Sequence, residues 1–202
     1  MKKRLIAIHV VSIILLLAIG FFIGQYALRY IYIVPQSLRP QIIQQQEVDS
    51  TVVDKEGFAV LIPTGWREVV PIQGVSATVA NVSEEVSDET LKKMNFKTNY
   101  SITYDNLQNK TKQDYISNLK NSLKQMMPGI LFLTEKNMTI NGNDGYAIEA
   151  QVAQRGADIS VLIVLVKGKN QDMWTIAFNT GKSNWNTYKE GFYQIAQSFT
   201  VK

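Results

Sequence analysis

Very little in this chain of 202 residues is equipped for covalent chemistry. There is no cysteine and one histidine, His9, so thiol nucleophiles, disulfides and thiolate metal centres are excluded. His9 lies in an uncharged run with no acidic partner and reads as a tolerated polar residue near a membrane interface, not a proton carrier. A Ser/His/Asp arrangement cannot form beyond that run. Neither a Gly-x-Ser-x-Gly elbow, nor Ser-x-x-Lys at a helix start, nor a phosphate-binding glycine loop is present. Adjacent carboxylates occur at Glu84-Glu85 and Asp88-Glu89, but in a polar stretch this pattern reads as a solvated surface before it reads as an acid/base pair. Asn141-Gly142-Asn143-Asp144-Gly145 offers oxygen ligands but lacks the later bidentate glutamate of a calcium loop, which leaves a hairpin turn. Trp66, Trp174 and Trp185 would line a ligand pocket or fill a core, and the periodicity around each favours the core. Triplets at Asn81, Asn99, Asn109 and Asn137 fit the glycosylation acceptor pattern. No catalytic, cofactor-binding or metal-binding residue is assigned, no cofactor is expected, and the expectation is a protein that is not an enzyme.

The elements that would position these groups begin with an anchor. Lys2-Lys3-Arg4 precedes a run from Leu5 to Leu28 without a charged residue, and a spanning helix needs about 20 apolar residues. A cleaved signal peptide is the competing reading. Its apolar region would stop after about 7–15 residues, whereas this one continues through Phe21-Phe22-Ile23. The basic tip places the N-terminus in the cytoplasm and the remainder outside it, as a single-pass protein of the cell membrane. Net charge is +4, three units of it in that tip, so no basic stripe points to nucleic acid. Residues 1–34 form the tip and transmembrane anchor, residues 35–48, with Pro35, Pro40 and a glutamine run, form a tether, and 49–202 form one globular domain.

Within that domain, strands are expected at Thr51 to Val53, Gly57 to Pro63, Trp66 to Ile72, Ser76 to Val82, Tyr100 to Asp105, Leu131 to Ile140, Tyr146 to Val152, Ile159 to Lys167 and Met173 to Phe178. Val161 to Val166 is apolar at every position, which demands cover on both faces. Ser83 to Lys93 is read as a loop with a short helix. Thr111 to Met127 is a helix burying Tyr115, Leu119, Leu123 and Met126, ended by Pro128-Gly129. A last helix, capped by Ser183, buries Trp185, Tyr188, Phe192, Ile195 and Phe199. The fold class is α+β: a central antiparallel sheet with helices on both faces, preceded by one transmembrane helix.

Gly57-Phe58 through Pro63 followed by Gly65-Trp66, and Met173 to Phe178 followed by Trp185, Tyr188 and the closing Ser198 to Val201, resemble the start and end of PsbP-like domains, as does Gly142 before the Tyr146 strand. The resemblance covers nearly all of 49–202 and implies an α/β/α sandwich in a membrane-anchored prokaryotic member. The metal-linked behaviour of plant members involves histidine, which this domain lacks, so that role does not transfer. What the resemblance implies is an extracytoplasmic, non-catalytic binding or accessory module acting through protein–protein contacts. The alternative is a carrier or sensor of an apolar ligand such as a lipid, as relatives sharing the fold include cell-envelope proteins associated with lipids. Expected partners are the membrane and an envelope protein or lipid, with no nucleic acid.

Overall fold

A computed structural model describes residues 52–202. The basic tip, the Leu5–Leu28 run with His9, the tether 35–48 and the first residues of the expected domain lie outside the described residues. In chain order the elements are β1 (Val52–Asp54), β2 (Phe58–Leu61), β3 (Trp66–Val69), β4 (Ala77–Asn81), α1 (Glu89–Lys93), β5 (Asn99–Asn106), α2 (Lys112–Met126), β6 (Leu131–Ile140), β7 (Asn143–Gln154), β8 (Ala157–Lys167), β9 (Asp172–Gly181), a 3-10 turn (Lys182–Asn184), α3 (Trp185–Ser198) and β10 (Thr200–Val201). Among these, no helix is long and apolar enough to cross a membrane.

The all-apolar strand β8 organises the rest. Its odd residues Ile159, Val161, Ile163 and Leu165 share a core with Tyr115, Ile116, Leu119 and Leu123 of α2. Its even residues Leu162, Val164 and Val166 share a second core with Phe192, Ile195 and Ala196 of α3. Two-sided cover is what period-two geometry requires of a strand that is apolar throughout. Seven antiparallel strands in the order β3-β4-β5-β9-β8-β7-β6 form this sheet. Its long hairpins close on Asn141-Gly142 and Arg155-Gly156. Both residues of each pair have positive φ (46° and 80°, 50° and 83°), the backbone of a type I′ turn, whose twist matches that of its flanking strands.

Three expectations need correction. The first two strands do not join the main sheet; β1, β2 and β10 form a separate three-stranded sheet whose Val53, Phe58 and Val60 point into the α3 core. A two-residue strand such as β10 carries no periodicity to read. Met126 is exposed and Ile116 is buried; beyond Leu123 the buried stripe continues four residues on, at Met127, and not at Met126. Ser183 does not cap α3: the chain leaves β9 through the 3-10 turn and Asn184 occupies the N-cap position without a side-chain bond. The α2 start, by contrast, is a capping box in which Thr111 and Asp114 satisfy each other's backbone N–H groups.

Candidate functional site

At the end of the sheet where β4 finishes, β5 begins and β9 runs into α3, the loop following β4 turns Glu84 inward. Its carboxylate accepts hydrogen bonds from the Thr98 backbone N–H at 2.6 Å, the Thr98 hydroxyl at 2.7 Å and the Asn184 amide at 3.4 Å. The Glu84 carbonyl accepts from Lys97 Nζ. Thr98 Oγ1 also lies 2.8 Å from Thr180 Oγ1, and Asn81 Nδ2 donates to Tyr188 Oη at 3.0 Å. Burial, and after it the Glu84 charge, push the Tyr188 hydroxyl above its ordinary pKa. Glu84 therefore satisfies a buried backbone donor and clips the 83–98 loop to the sheet. Beside it opens a hollow of about 410 Å³ lined by Glu84, Glu85, Val86, Lys92, Asn95, Phe96 and Lys97. Of the second acidic pair, Asp88 is the N-cap of α1 and accepts from the Thr90 and Leu91 N–H groups, while Glu89 pairs with Lys92. The two neighbouring pairs thus do different work, and only Glu84 is buried. A mixed lining of two acids and two lysines suits a zwitterionic or paired-charge surface, not a proton shuttle.

A second inward carboxylate escaped the sequence reading. Glu149 on β7 lies on the α3 side of the sheet, two residues from buried Ala147. Its side chain is 6% exposed. Lys189 Nζ lies 2.9 Å from one oxygen and 3.0 Å from the other, and the Tyr193 hydroxyl donates to it at 2.8 Å. Lys136 of β6 stands over the Tyr193 ring at 4.1 Å. Burial and then the Glu149 hydrogen bond raise the Tyr193 pKa strongly, so this phenol stays a donor. The readable signals were parity with Ala147 and the i, i+4 spacing of Lys189 and Tyr193 on α3.

The tryptophans belong to the core. Trp66 packs on Tyr100, Tyr188 and Phe192 at 6.1, 6.2 and 6.5 Å between ring centres. Trp174 packs on Phe58, Tyr104 and Phe199 at 5.1, 5.0 and 5.9 Å, and Trp185 meets Phe192 at 6.2 Å. A Cβ on Gly57 would lie 2.9 Å from the Trp174 ring, so the preceding turn closes directly on the indole. Burial, reinforced by Glu68, pushes the Tyr100 hydroxyl far up, and it donates to the Leu61 carbonyl at 2.6 Å.

The Asn141–Gly145 segment is a hairpin with its polar groups engaged. Asn141 Nδ2 donates to the Phe199 carbonyl at 2.8 Å and the Gln197 carbonyl at 3.1 Å, tying the turn to the end of α3. Asp144 pairs with Lys112 at 2.6 Å. Among the described residues no group of three or more His, Cys, Asp or Glu could hold a metal ion. Of the four acceptor triplets, Asn99 is buried within β5 and Asn81 is held by Tyr188. Asn137 accepts from Lys112 on the exposed β6, and Asn109 is exposed in the loop before α2.

This arrangement agrees with comparison to known proteins. The PsbP family model matches residues 48–201. The chain belongs to the PsbP family. The described PsbP domain is similar to the solution structure of cyanobacterial PsbP (CyanoP) from Synechocystis, at 19% identity and TM-score 0.56 over 72% of this chain and 87% of that one. It is also similar to LpqN of Mycobacterium tuberculosis, described as involved in cell envelope biogenesis, at 12% identity and TM-score 0.56 over 75% and 90%. A Mog1 variant matches at 11% identity and TM-score 0.50 over 71% and 90%. At these identities the likeness is one of fold. No curated protein sequence matches the chain. Membership of the PsbP family carries the expected α+β fold with antiparallel sheets.

Proposed function

We propose that this PsbP-family chain is a non-catalytic accessory module, held at the outer face of the cell membrane by its N-terminal span and acting by contact with an envelope protein. One observation carries the reading. The side chains best suited to chemistry or to ligand enclosure are already committed inside the fold: Glu84 to Thr98, Glu149 to Lys189 and Tyr193, and the three tryptophans to packing against other rings. What remains for function is surface, which is the resource of a binding module. The description of LpqN as a protein of envelope biogenesis is consistent with an envelope setting, and the PsbP family supports an accessory role.

Native mass spectrometry of the full chain released from its own membranes tests the proposal. A stoichiometric protein partner without a retained acyl ligand is the expected result. A lipid retained through the domain, lost on enlarging or filling the aromatic core, would favour the carrier instead. Turnover of ester, phosphate or peptide substrates that survives surface-substitution controls would return the enzyme reading.

A further inference from the structure

From the geometry of the α2–β6 connection we infer that this tip is a second, peripheral contact with an anionic bilayer surface, separate from the N-terminal span. Between Tyr115 and Thr134 the sequence contains no Asp or Glu but carries Lys120 and Lys124. The structure places three large apolar side chains of this segment in solvent: Met126, Leu131 and Leu133, 48%, 62% and 53% exposed. Pro128 and Gly129 between them are exposed as well. Isolated exposed apolar residues need no explanation, but several at one connection, beside the exposed Lys124, mark an interaction site.

Two observations choose lipid over protein. First, β6 is an edge strand, and its pairing with β7 shifts register between Phe132 and Thr134, leaving Leu133 as the extra residue of a bulge. A bulge breaks the regular ladder that strand addition by another protein chain would use. Second, the lysines are arranged to work with the leucines. The ammonium groups of Lys120 and Lys124 lie over the Phe132 ring at 5.1 and 5.8 Å; Lys120 is also ion-paired with Glu135, so the exposed Lys124 is the cation offered at the rim of the apolar residues. This is the arrangement that lets lysine reach lipid phosphates as apolar neighbours enter the headgroup boundary. The inference rests on the proposed anchor only for keeping the tip near a membrane.

The absence of cysteine makes the test clean. Gly129→Cys places a single label at the tip, where an added Cβ meets nothing within 4 Å. Val70→Cys, 88% exposed in the loop after the opposite edge strand β3, serves as the aqueous control. The full chain, nitroxide-labelled at either site, is reconstituted in phosphatidylcholine vesicles with and without phosphatidylserine. Flotation reads the anchor, and collision with oxygen against a water-soluble nickel chelate reads the depth of the label. The expected result is a several-fold higher oxygen-to-nickel ratio at residue 129 than at 70 in the phosphatidylserine vesicles. That excess should be lost in pure phosphatidylcholine and after Leu131→Ser with Leu133→Ser. Equal ratios at both sites in chains that float would overturn the tip contact and leave the anchor standing. Failure to float would overturn both. Dipolar broadening at residue 129 that persists in detergent would mean that a second copy covers the tip, and would also overturn the inference.

Discussion

Breaking the Glu149–Lys189 pair from one side should be much more damaging than removing it altogether. With its side chain 6% exposed, Glu149 depends on Lys189 and on the Tyr193 hydroxyl to replace the water it has lost. Lys189→Met would leave a buried carboxylate with one hydrogen bond. Stranding a buried charge costs about 3–5 kcal/mol. Because the Lys189 side chain is 34% exposed, water can partly replace the ammonium, and we expect about 2–3 kcal/mol. Glu149→Leu combined with Lys189→Met removes both charges and fills the space with apolar volume, so the double variant should fall within about 1 kcal/mol of the parent. Urea unfolding of residues 48–202, followed by tryptophan fluorescence, measures this. With a slope of about 2 kcal/mol/M, the single variant should unfold roughly 1 M earlier than the parent and the double variant should recover most of that shift. Equal loss in single and double variants, or a single-variant loss of a few tenths of a kcal/mol, would refute the reasoning. The first would mean that Lys189 stabilises through its packing over Trp185, at 5.7 Å, and the second that the site is wetter than its burial implies.

Further outcomes follow from the same contacts. Glu84→Ala should cost about 1–3 kcal/mol by orphaning the Thr98 donor, seen as accelerated hydrogen exchange at the Thr98 amide, whereas Glu84→Gln should retain most of the protection. Gly57→Ala should destabilise by about 1–3 kcal/mol through overpacking and shift the fluorescence as Trp174 is displaced from Phe58. For Glu135, burial raises the pKa, but the Lys120 and Tyr146 hydrogen bonds and the Lys120 charge outweigh it and hold the group below its ordinary value. Its contribution to stability is thus full above the unfolded pKa and is lost as pH falls through the lowered folded value, so Glu135→Gln should flatten the acid limb of a stability–pH curve recorded below about pH 4.5. In a host that glycosylates exported chains, peptide mapping should find Asn109 more fully modified than Asn99.

The parts of this fold legible in the sequence were those with redundant signals. The run Val161 to Val166 could be satisfied only by cover on both faces, and Asn141-Gly142 between two strands specified a tight hairpin by its backbone chemistry. The parts that were not legible depended on competition between equivalent local patterns. Tyr115, Leu119 and Leu123 are compatible with a stripe continued at Met126 or at Met127, three or four residues on, and only the packing beneath α2 decides for Met127. Ser183 has the chemistry of a cap, but the backbone leaving β9 spends that position on a 3-10 turn. Glu84 and Glu85 are indistinguishable neighbours until the Thr98 amide selects one of them. In each case the missing term was a tertiary partner, not a local preference.

The covered sheet also constrains how an accessory module of this shape can bind. With α2 on one face and α3 and the small sheet on the other, the free backbone of the main sheet lies along β3 and β6. β3 has four residues, too few for a strong added strand, and β6 is interrupted by its bulge and carries Lys136 in its exposed middle. Both features oppose strand addition. Recognition must then come from side chains, and the ends of the sandwich offer two different surfaces. The hollow lined by Glu85, Lys92 and Lys97 would bind through charge and weaken with salt over the Debye length, about 8 Å at physiological ionic strength. The leucine tip would bind through apolar burial and resist salt once its headgroup contacts are made. Because their salt responses differ, substitutions at Lys92 and Lys97 should weaken a protein partner without releasing the tip from a bilayer, which separates accessory binding from membrane contact within the same domain.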